Sequence, residues 1–481
     1  MVHQSPSQTT KHELLIDITQ PRRKIQVTCL ALTVLVVVLF VTRDWIGAER
    51  FCLTRRFFEE VDPIDKPLND ATITAWVRRA WKYSESTKAN ENAKGSAASS
   101  SSVKQHSQKQ SSETIVCYYT VQGNLNTSRE LRPSHIDPHI CTHIIVGFAR
   151  VVNCTLSLGE TSWVYERVAA LKNHEPGLKV MVSAGSMDEL HSGFPEMVLN
   201  HANRKTFIKS VLNITKTFDL DGLDIDWEFP AWTTDDVRQR IHFVQLIQEL
   251  RKEFDQSSQK LILSVAVAAP QAIVDLSYNI PALAEYVDFI NLMSYDFHYY
   301  IWYYPVTGLN APLFPASTET GYLSTLNVNF SALYWVSKNM PRDKIIIGIP
   351  TYGHSYKLVN SANHDLQAPS SGLGNLGMDG FVPYSDICTF LKNGAERVFV
   401  NESKVPYSYK DTEWVSYDDV ESVTHKVNWI RSQGFKGAMI LSLNTDDWNS
   451  TCQENVKFPL TRAVYQVLKL PSGVTNFKSP L

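Results

Sequence analysis

The sequence lacks any excess of charge of one sign. Forty-six Lys and Arg stand against 49 Asp and Glu, a net charge of −3 over 481 residues. That balance leaves no electrostatic footprint for nucleic acid or an anionic surface. Internal repeats are also absent. Cysteine is sparse, with seven in all. Cys29 falls in an apolar run and Cys52 lies just beyond it. The rest of the chain then holds an odd number, so at least one thiol there is free or intermolecular. Hydrophobic content of 43% and charge of 20% are those of a globular protein, not a disordered one. The length admits a barrel of about 250 residues with further segments attached.

One stretch lacks charge altogether. Residues 25–42 read IQVTCLALTVLVVVLFVT. As a helix rising about 1.5 Å per residue, this run nearly spans a bilayer core of about 30 Å. Arg22, Arg23 and Lys24 precede it, while Arg43 and Asp44 follow and cancel. The positive-inside rule then places residues 1–24 in the cytoplasm as a polar tail. A cleaved signal peptide is the rival reading. Against it stand the long polar head, the length of the apolar run and the absence of a small-x-small site directly after it. The expectation is a single-pass type II membrane protein whose later residues are lumenal or extracellular. Sequons at Asn126, Asn153, Asn213, Asn329, Asn401 and Asn449 all lie beyond the run and agree with it.

Residues 43–113 read as a juxtamembrane segment and stalk, the last thirty or so rich in Ser, Lys, Gln, Asn and Ala. From Thr114 the pattern changes. Strand-like apolar runs occur at 114–120, 143–149, 179–183, 222–226, 261–267, 289–294, 344–349 and 437–443, separated mostly by helix-length segments. Eight such runs predict a parallel sheet, closed as a (β/α)8 barrel over 114–470, though periodicity alone does not exclude an open sheet. The gap between the seventh and eighth runs is too long for one helix. It predicts a small α+β insertion at about 351–423, between strands 7 and 8. Residues 471–481 form a C-terminal tail.

The fourth run carries the chemistry, in Asp221-Gly-Leu-Asp224-Ile-Asp226-Trp-Glu228. Side chains two apart in a strand share a face. Asp224, Asp226 and Glu228 therefore stack on one side, with Ile225, Trp227 and Phe229 on the other. If the first side is the barrel interior, the carboxyls climb towards the C-terminal mouth, where barrel active sites sit. Carboxyls this close cannot all ionise freely, so at least one pKa rises, as a general acid requires. Leu223, Ile225 and Trp227 argue against a solvated acidic face, because they make the segment a buried strand. A metal site is the remaining alternative, but no nearby His completes one.

With this motif the sequence resembles the chitinases of glycoside hydrolase family eighteen, most closely the animal acidic and macrophage chitinases. Further runs match in order: Val116-Cys-Tyr-Tyr-Thr120, Cys141-Thr-His-Ile-Ile-Val-Gly-Phe148, Met293-Ser-Tyr295-Asp296, Thr351-Tyr-Gly-His354, Ile387-Cys-Thr-Phe-Leu-Lys-Asn-Gly394 and Lys457-Phe-Pro-Leu460. The resemblance implies a retaining, substrate-assisted mechanism on β-1,4-linked N-acetylglucosamine polymers. Glu228 would protonate the glycosidic oxygen. The sugar's own 2-acetamido oxygen would attack, oriented by Asp226, which would share a proton with Asp224. Tyr295 would hydrogen-bond the acetamido group. Tyr118, Met293, Asp296 and the residue at 441 would line the sugar site. The reading of Tyr118 and Tyr295 as ordinary barrel core stays open. The resemblance implies no metal or organic cofactor. It also implies disulfides Cys117–Cys141 and Cys388–Cys452, with Cys154 left free.

Three aromatics that the family pattern leads one to expect are missing. Ala184-Gly185-Ser186 stands for Gly-Gly-Trp. Ile301 stands at a Trp position, with Trp302 beside it. Leu441 replaces the Trp that would floor the reacting sugar. Stacking of this kind is worth about 1–3 kcal/mol by analogy with bases. The expectation is therefore a membrane-anchored hydrolase, with a non-catalytic lectin that binds chitooligosaccharides as the alternative. A barrel that only binds protein partners is disfavoured, because adjacent buried carboxyls are costly unless they serve a site.

Overall fold

Strand propensity and burial act together from Thr114 onward, where β-branched and aromatic residues dominate each run. In chain order the strands are β1 (Thr114–Thr120), β2 (His143–Val152), the short β3 (Thr155–Ser157), β4 (Lys179–Ser186), β5 (Gly222–Trp227), β6 (Ile262–Ala268), β7 (Phe289–Met293) and β8 (Ile345–Pro350). An inserted sheet follows, with β9 (Tyr352–Leu358), β10 (Ser370–Leu373), β11 (Phe381–Pro383), β12 (Glu396–Val400), β13 (Val405–Lys410) and β14 (Glu413–Ser416). Then comes β15 (Gly437–Leu441). The computed structural model describes residues 114–121, 130–186, 193–232, 234 and 236–469. The expected tail, anchor and stalk, the C-terminal tail and Asn126 lie outside the described residues.

Eight strands pair in parallel in the order β1-β15-β8-β7-β6-β5-β4-β2, and β1 pairs with β2 to close the ring. This is the (β/α)8 barrel that the eight runs predict. β3 adds an antiparallel hairpin to the end of β2, which the sequence reading did not include. Helices α1 (Ser162–Ala169), α2 (Phe194–Val198), α3 (His201–Thr217), α4 (Arg238–Gln256), α5 (Gln271–Ser277), α6 (Ile280–Tyr286) and α7 (Val328–Ser337) come before the insertion. Helix α8 (Tyr384–Lys392) lies within it, and α9 (Val420–Gln433) and α10 (Pro459–Lys469) follow.

The barrel interior is filled at two-residue steps, as an inward-facing alternation requires. Val116 and Tyr118 from β1, Ile145 from β2, Met181 from β4, Phe289 from β7, Ile346 from β8 and Met439 from β15 form one buried cluster. β5 presents no apolar side chain to this cluster. Its inward positions are Gly222, Asp224 and Asp226, all buried.

The insertion is an antiparallel sheet in the order β10-β9-β14-β13-β12, with β11 on the other side of β9. Its core is Tyr356, Leu358, Ala368, Tyr407 and Trp414. It thus occupies the gap between barrel strands seven and eight, as expected. The return to the barrel is made by α9, which starts at a capping box. Asp419 accepts from the Ser422 backbone, and Ser422 reciprocates. Lys426 and Asp418, both fully buried, pair beneath it at 2.6 Å.

Both disulfides implied by the resemblance are present, Cys117–Cys141 and Cys388–Cys452. Each is of a kind that typically contributes about 2–4 kcal/mol. Cys154 is free and half-buried. The closing seam between β1 and β15 carries a side-chain clasp. Asn444 Oδ1 accepts from the Thr120 backbone at 2.8 Å, and its Nδ2 donates back to the Thr120 carbonyl at 2.9 Å. Among the described residues no helix is long and apolar enough to cross a membrane. The apolar run at 25–42 is outside them.

Candidate active site

The alternation along β5 is realised as its sequence demands. Trp227 turns outward, stacked on Phe194 at 5.3 Å and meeting the edge of Phe243 at 5.8 Å, where it is sealed beneath α2 and α4. Asp224 and Asp226 turn inward. Glu228 follows the strand and is half-buried at the mouth.

Asp224 is held by four donors from four other strands. Tyr118 and Ser183 hydroxyls donate to its Oδ2 at 2.7 and 2.8 Å. Ser264 and Asn291 donate to its Oδ1 at 2.6 and 3.2 Å. Burial pushes its pKa up and these bonds push it back, with burial the larger effect. Asp226 has no such support, and its Oδ1 is buried without a hydrogen-bond partner. Burial, then the charges of Glu228 and Asp224, hold its pKa well above the usual carboxyl range. Of the two carboxyls, Asp226 is the more strongly shifted towards its protonated form. Among the described residues no hydrogen bond joins the two carboxyls.

Tyr118 and Tyr295 are core residues and site residues together. Both belong to the buried barrel cluster. The Tyr118 hydroxyl bonds to Asp224, and its ring lies on Phe148 at 6.0 Å. Tyr295 is pushed well above the ordinary phenol range, first by burial and then by Asp296, Asp226, Glu228 and Asp224. It stays protonated with four carboxyls acting on it, and its hydroxyl donates to Met439 Sδ at 3.9 Å. Met293 and Leu441, the last residues of β7 and β15, are half-buried and pack against the same cluster. Trp302 is exposed, its ring edge-on to Tyr303.

Asp296 lies in the loop after β7 in a left-handed conformation, φ 56°. Its backbone N–H donates to Asn310 Oδ1 at 2.9 Å. Its Oδ1 accepts from the Tyr352 hydroxyl at 2.8 Å and meets His354 Nε2 at 2.7 Å. Sequence reading assigned no role to Ser183, Ser264, Asn291, Tyr352 or His354. A polar residue in mid-strand, as Asn291 is in Phe-Ile-Asn-Leu-Met, was the available signal. Of the sequons, Asn153, Asn213, Asn401 and Asn449 are exposed and Asn329 is half-buried.

A closed parallel barrel with a carboxyl column rising to its C-terminal mouth defines a carbohydrate-active barrel of the glycoside hydrolase type. The chain belongs to glycosyl hydrolases family 18, whose pattern matches residues 114–446. It is 36% identical over 374 residues to mouse chitotriosidase-1, covering 75% of this chain and 79% of that protein. It is 37% identical over 370 residues to human chitinase-3-like protein 2, covering 74% and 92%. Among solved structures, an immunomodulatory active chitinase of Trichuris suis superposes with a TM-score of 0.70 at 32% identity, covering 74% of this chain and all of that one. Human YKL-39, described as a pseudo-chitinase with retained chitooligosaccharide binding, superposes at 0.69 with 36% identity, covering 74% and 99%.

Proposed function

We propose that the chain is a retaining glycosidase of β-1,4-linked N-acetylglucosamine polymers, chitin or chitooligosaccharides. The observation that carries this reading is the β5 column, in which a buried Asp226, its pKa held well above the usual carboxyl range, lies between Glu228 at the rim and a four-fold-bonded Asp224. Glu228, at the rim, is placed to give its proton to a glycosidic oxygen. Asp226, whose Oδ1 is buried without a hydrogen-bond partner, is suited to orient the substrate's acetamido group. The Tyr295 hydroxyl is suited to donate to the acetamido oxygen as it closes on the anomeric carbon. Asp224 holds negative charge low in the barrel and so keeps the proton on Asp226 before attack.

A second reading is favoured by one residue. Leu441 stands at the mouth where a flat ring would support the reacting sugar, which suits a lectin that binds chitooligosaccharides without fast turnover. Turnover of a fluorogenic chitobioside by the purified protein separates the two. Glu228→Gln keeps the shape and cannot donate the proton, so it is expected to lower turnover by at least about a hundredfold while chitooligosaccharide binding persists. Activity in Glu228→Gln close to that of wild type removes Glu228 as the acid. No turnover by wild type with retained binding establishes the lectin.

For location, the reading is a type II membrane protein. Residues 1–24 are cytoplasmic, 25–42 form a signal anchor and the barrel is lumenal or extracellular. The basic flank at 22–24 and the sequons at exposed sites support it.

A further inference from the structure

We infer that Gln239, on the first turn of α4, is a positioning residue for Glu228. This rests on the hydrolase reading above. The Gln239 side chain holds the turn that follows the acid, and so fixes the point to which the acid delivers its proton.

Glu228 stands between two points pinned to one helix. On the strand side its neighbour Trp227 meets the edge of the Phe243 ring at 5.8 Å. On the loop side Ala231 donates its backbone N–H to Gln239 Oε1 at 2.9 Å. Gln239 and Phe243 are four apart in α4, so they share a face, one turn from each other. Both are buried, and the same face continues through Leu246, Ile247, Leu250 and Phe254. One helix face thus fixes the chain on both sides of the acid.

The loop pin is built against local preference. Ala231 has φ 58°, in the left-handed region that a residue with a Cβ rarely adopts, and is 2% exposed. Such a conformation persists where its surroundings impose it. Here Gln239 takes the Ala231 N–H, and the Trp232 N–H closes back on the Phe229 carbonyl at 3.2 Å. Gln239 is itself only 8% exposed, although glutamine is mostly a surface residue. A buried amide needs a partner, and the partner this one has is the turn that carries the acid. Without that acceptor the left-handed turn loses a restraint and Glu228 is free to shift. A shift of about 1 Å can cost a hundredfold in rate, while sugar contacts made from the other strands stay in place.

The test is steady-state hydrolysis of a fluorogenic chitobioside by the purified protein carrying Gln239→Met, Gln239→Asn or Gln239→Glu. Met fills the space without an acceptor, Asn is too short to reach the Ala231 N–H, and Glu keeps an oxygen in place. Gln239→Met and Gln239→Asn are expected to lower kcat roughly ten- to a hundredfold with KM within about twofold of wild type, and Gln239→Glu to keep about a third or more of the wild-type kcat. With Glu228→Gln as background, where the acid is already gone, the same substitutions should leave chitotetraose affinity within about twofold. Gln239→Asn, small and polar, decides the matter if Gln239→Met does not fold. Folded Met and Asn variants with the wild-type kcat overturn the role of Gln239 and leave the hydrolase reading standing, as does a higher KM at unchanged kcat. An equal loss in all three variants also overturns it, because packing rather than the acceptor then matters. A wild type that binds chitotetraose but does not hydrolyse the chitobioside overturns the hydrolase reading and this inference with it.

Discussion

Asp226 is a buried carboxyl between two others, and one of its oxygens has no donor. Its proton has a measurable consequence. An aspartate in the unfolded chain titrates near about 3.9, whereas in the fold Asp226 does so well above this. Between those two values the folded state holds the extra proton, so stability falls as pH rises across the window. Each unit of that difference is worth about 1.4 kcal/mol. Asp226→Asn is therefore expected to melt above wild type at pH 7 while its activity is lost, and the gap should close towards pH 4. A melting difference that does not vary with pH would contradict the assignment. Leu441 can be tested at the same scale. Leu441→Trp offers a flat surface worth about 1–3 kcal/mol, set against overpacking that costs about the same where space is short. Leu441 is only half-buried, so tighter chitooligosaccharide binding, by several-fold, is the expected result. Melting temperature and affinity measured on one preparation decide it, and lower stability without tighter binding rejects the floor position.

Strand β4 shows how an element, rather than a residue, places the carboxyls. Its register sets Ser183 against Asp224 and Gly185 against Asp226. Gly185 has φ 137°, and a Cβ there would strike the Asp226 carbonyl oxygen. Gly185→Ala is expected to cost more than about 3 kcal/mol and to abolish activity by displacing β5. Denaturant midpoints measured beside turnover check this, and a stable, active variant would refute it. The eight barrel runs, the carboxyl stack and the insertion were legible because each depends on periodicity or spacing within one segment. Of the donors around Asp224 only Tyr118 was legible, through the family resemblance. Ser183, Ser264 and Asn291 meet there only through the register of strands distant in sequence. His354 escaped notice for the same reason. Its partner lies in a loop 58 residues earlier, and the two meet only because the insertion folds back over β7.

For the whole molecule, the proposed topology places the barrel and the N-terminus on opposite sides of a membrane. Protease added to sealed microsomes should remove an N-terminal tag and spare the glycosylated barrel. A protected tag would reverse the orientation. The ring itself also imposes a timetable on synthesis. Thr120 and Asn444 clasp the seam from positions 324 residues apart. Until the end of β15 leaves the ribosome, β1 and β8 are both open edges, free to pair with other chains. At about 5–20 residues per second that wait is on the order of tens of seconds. A message that stops before Gly437 yields seven strands and no way to finish the circle, so its product is matter for chaperones and degradation rather than a weaker version of the same protein.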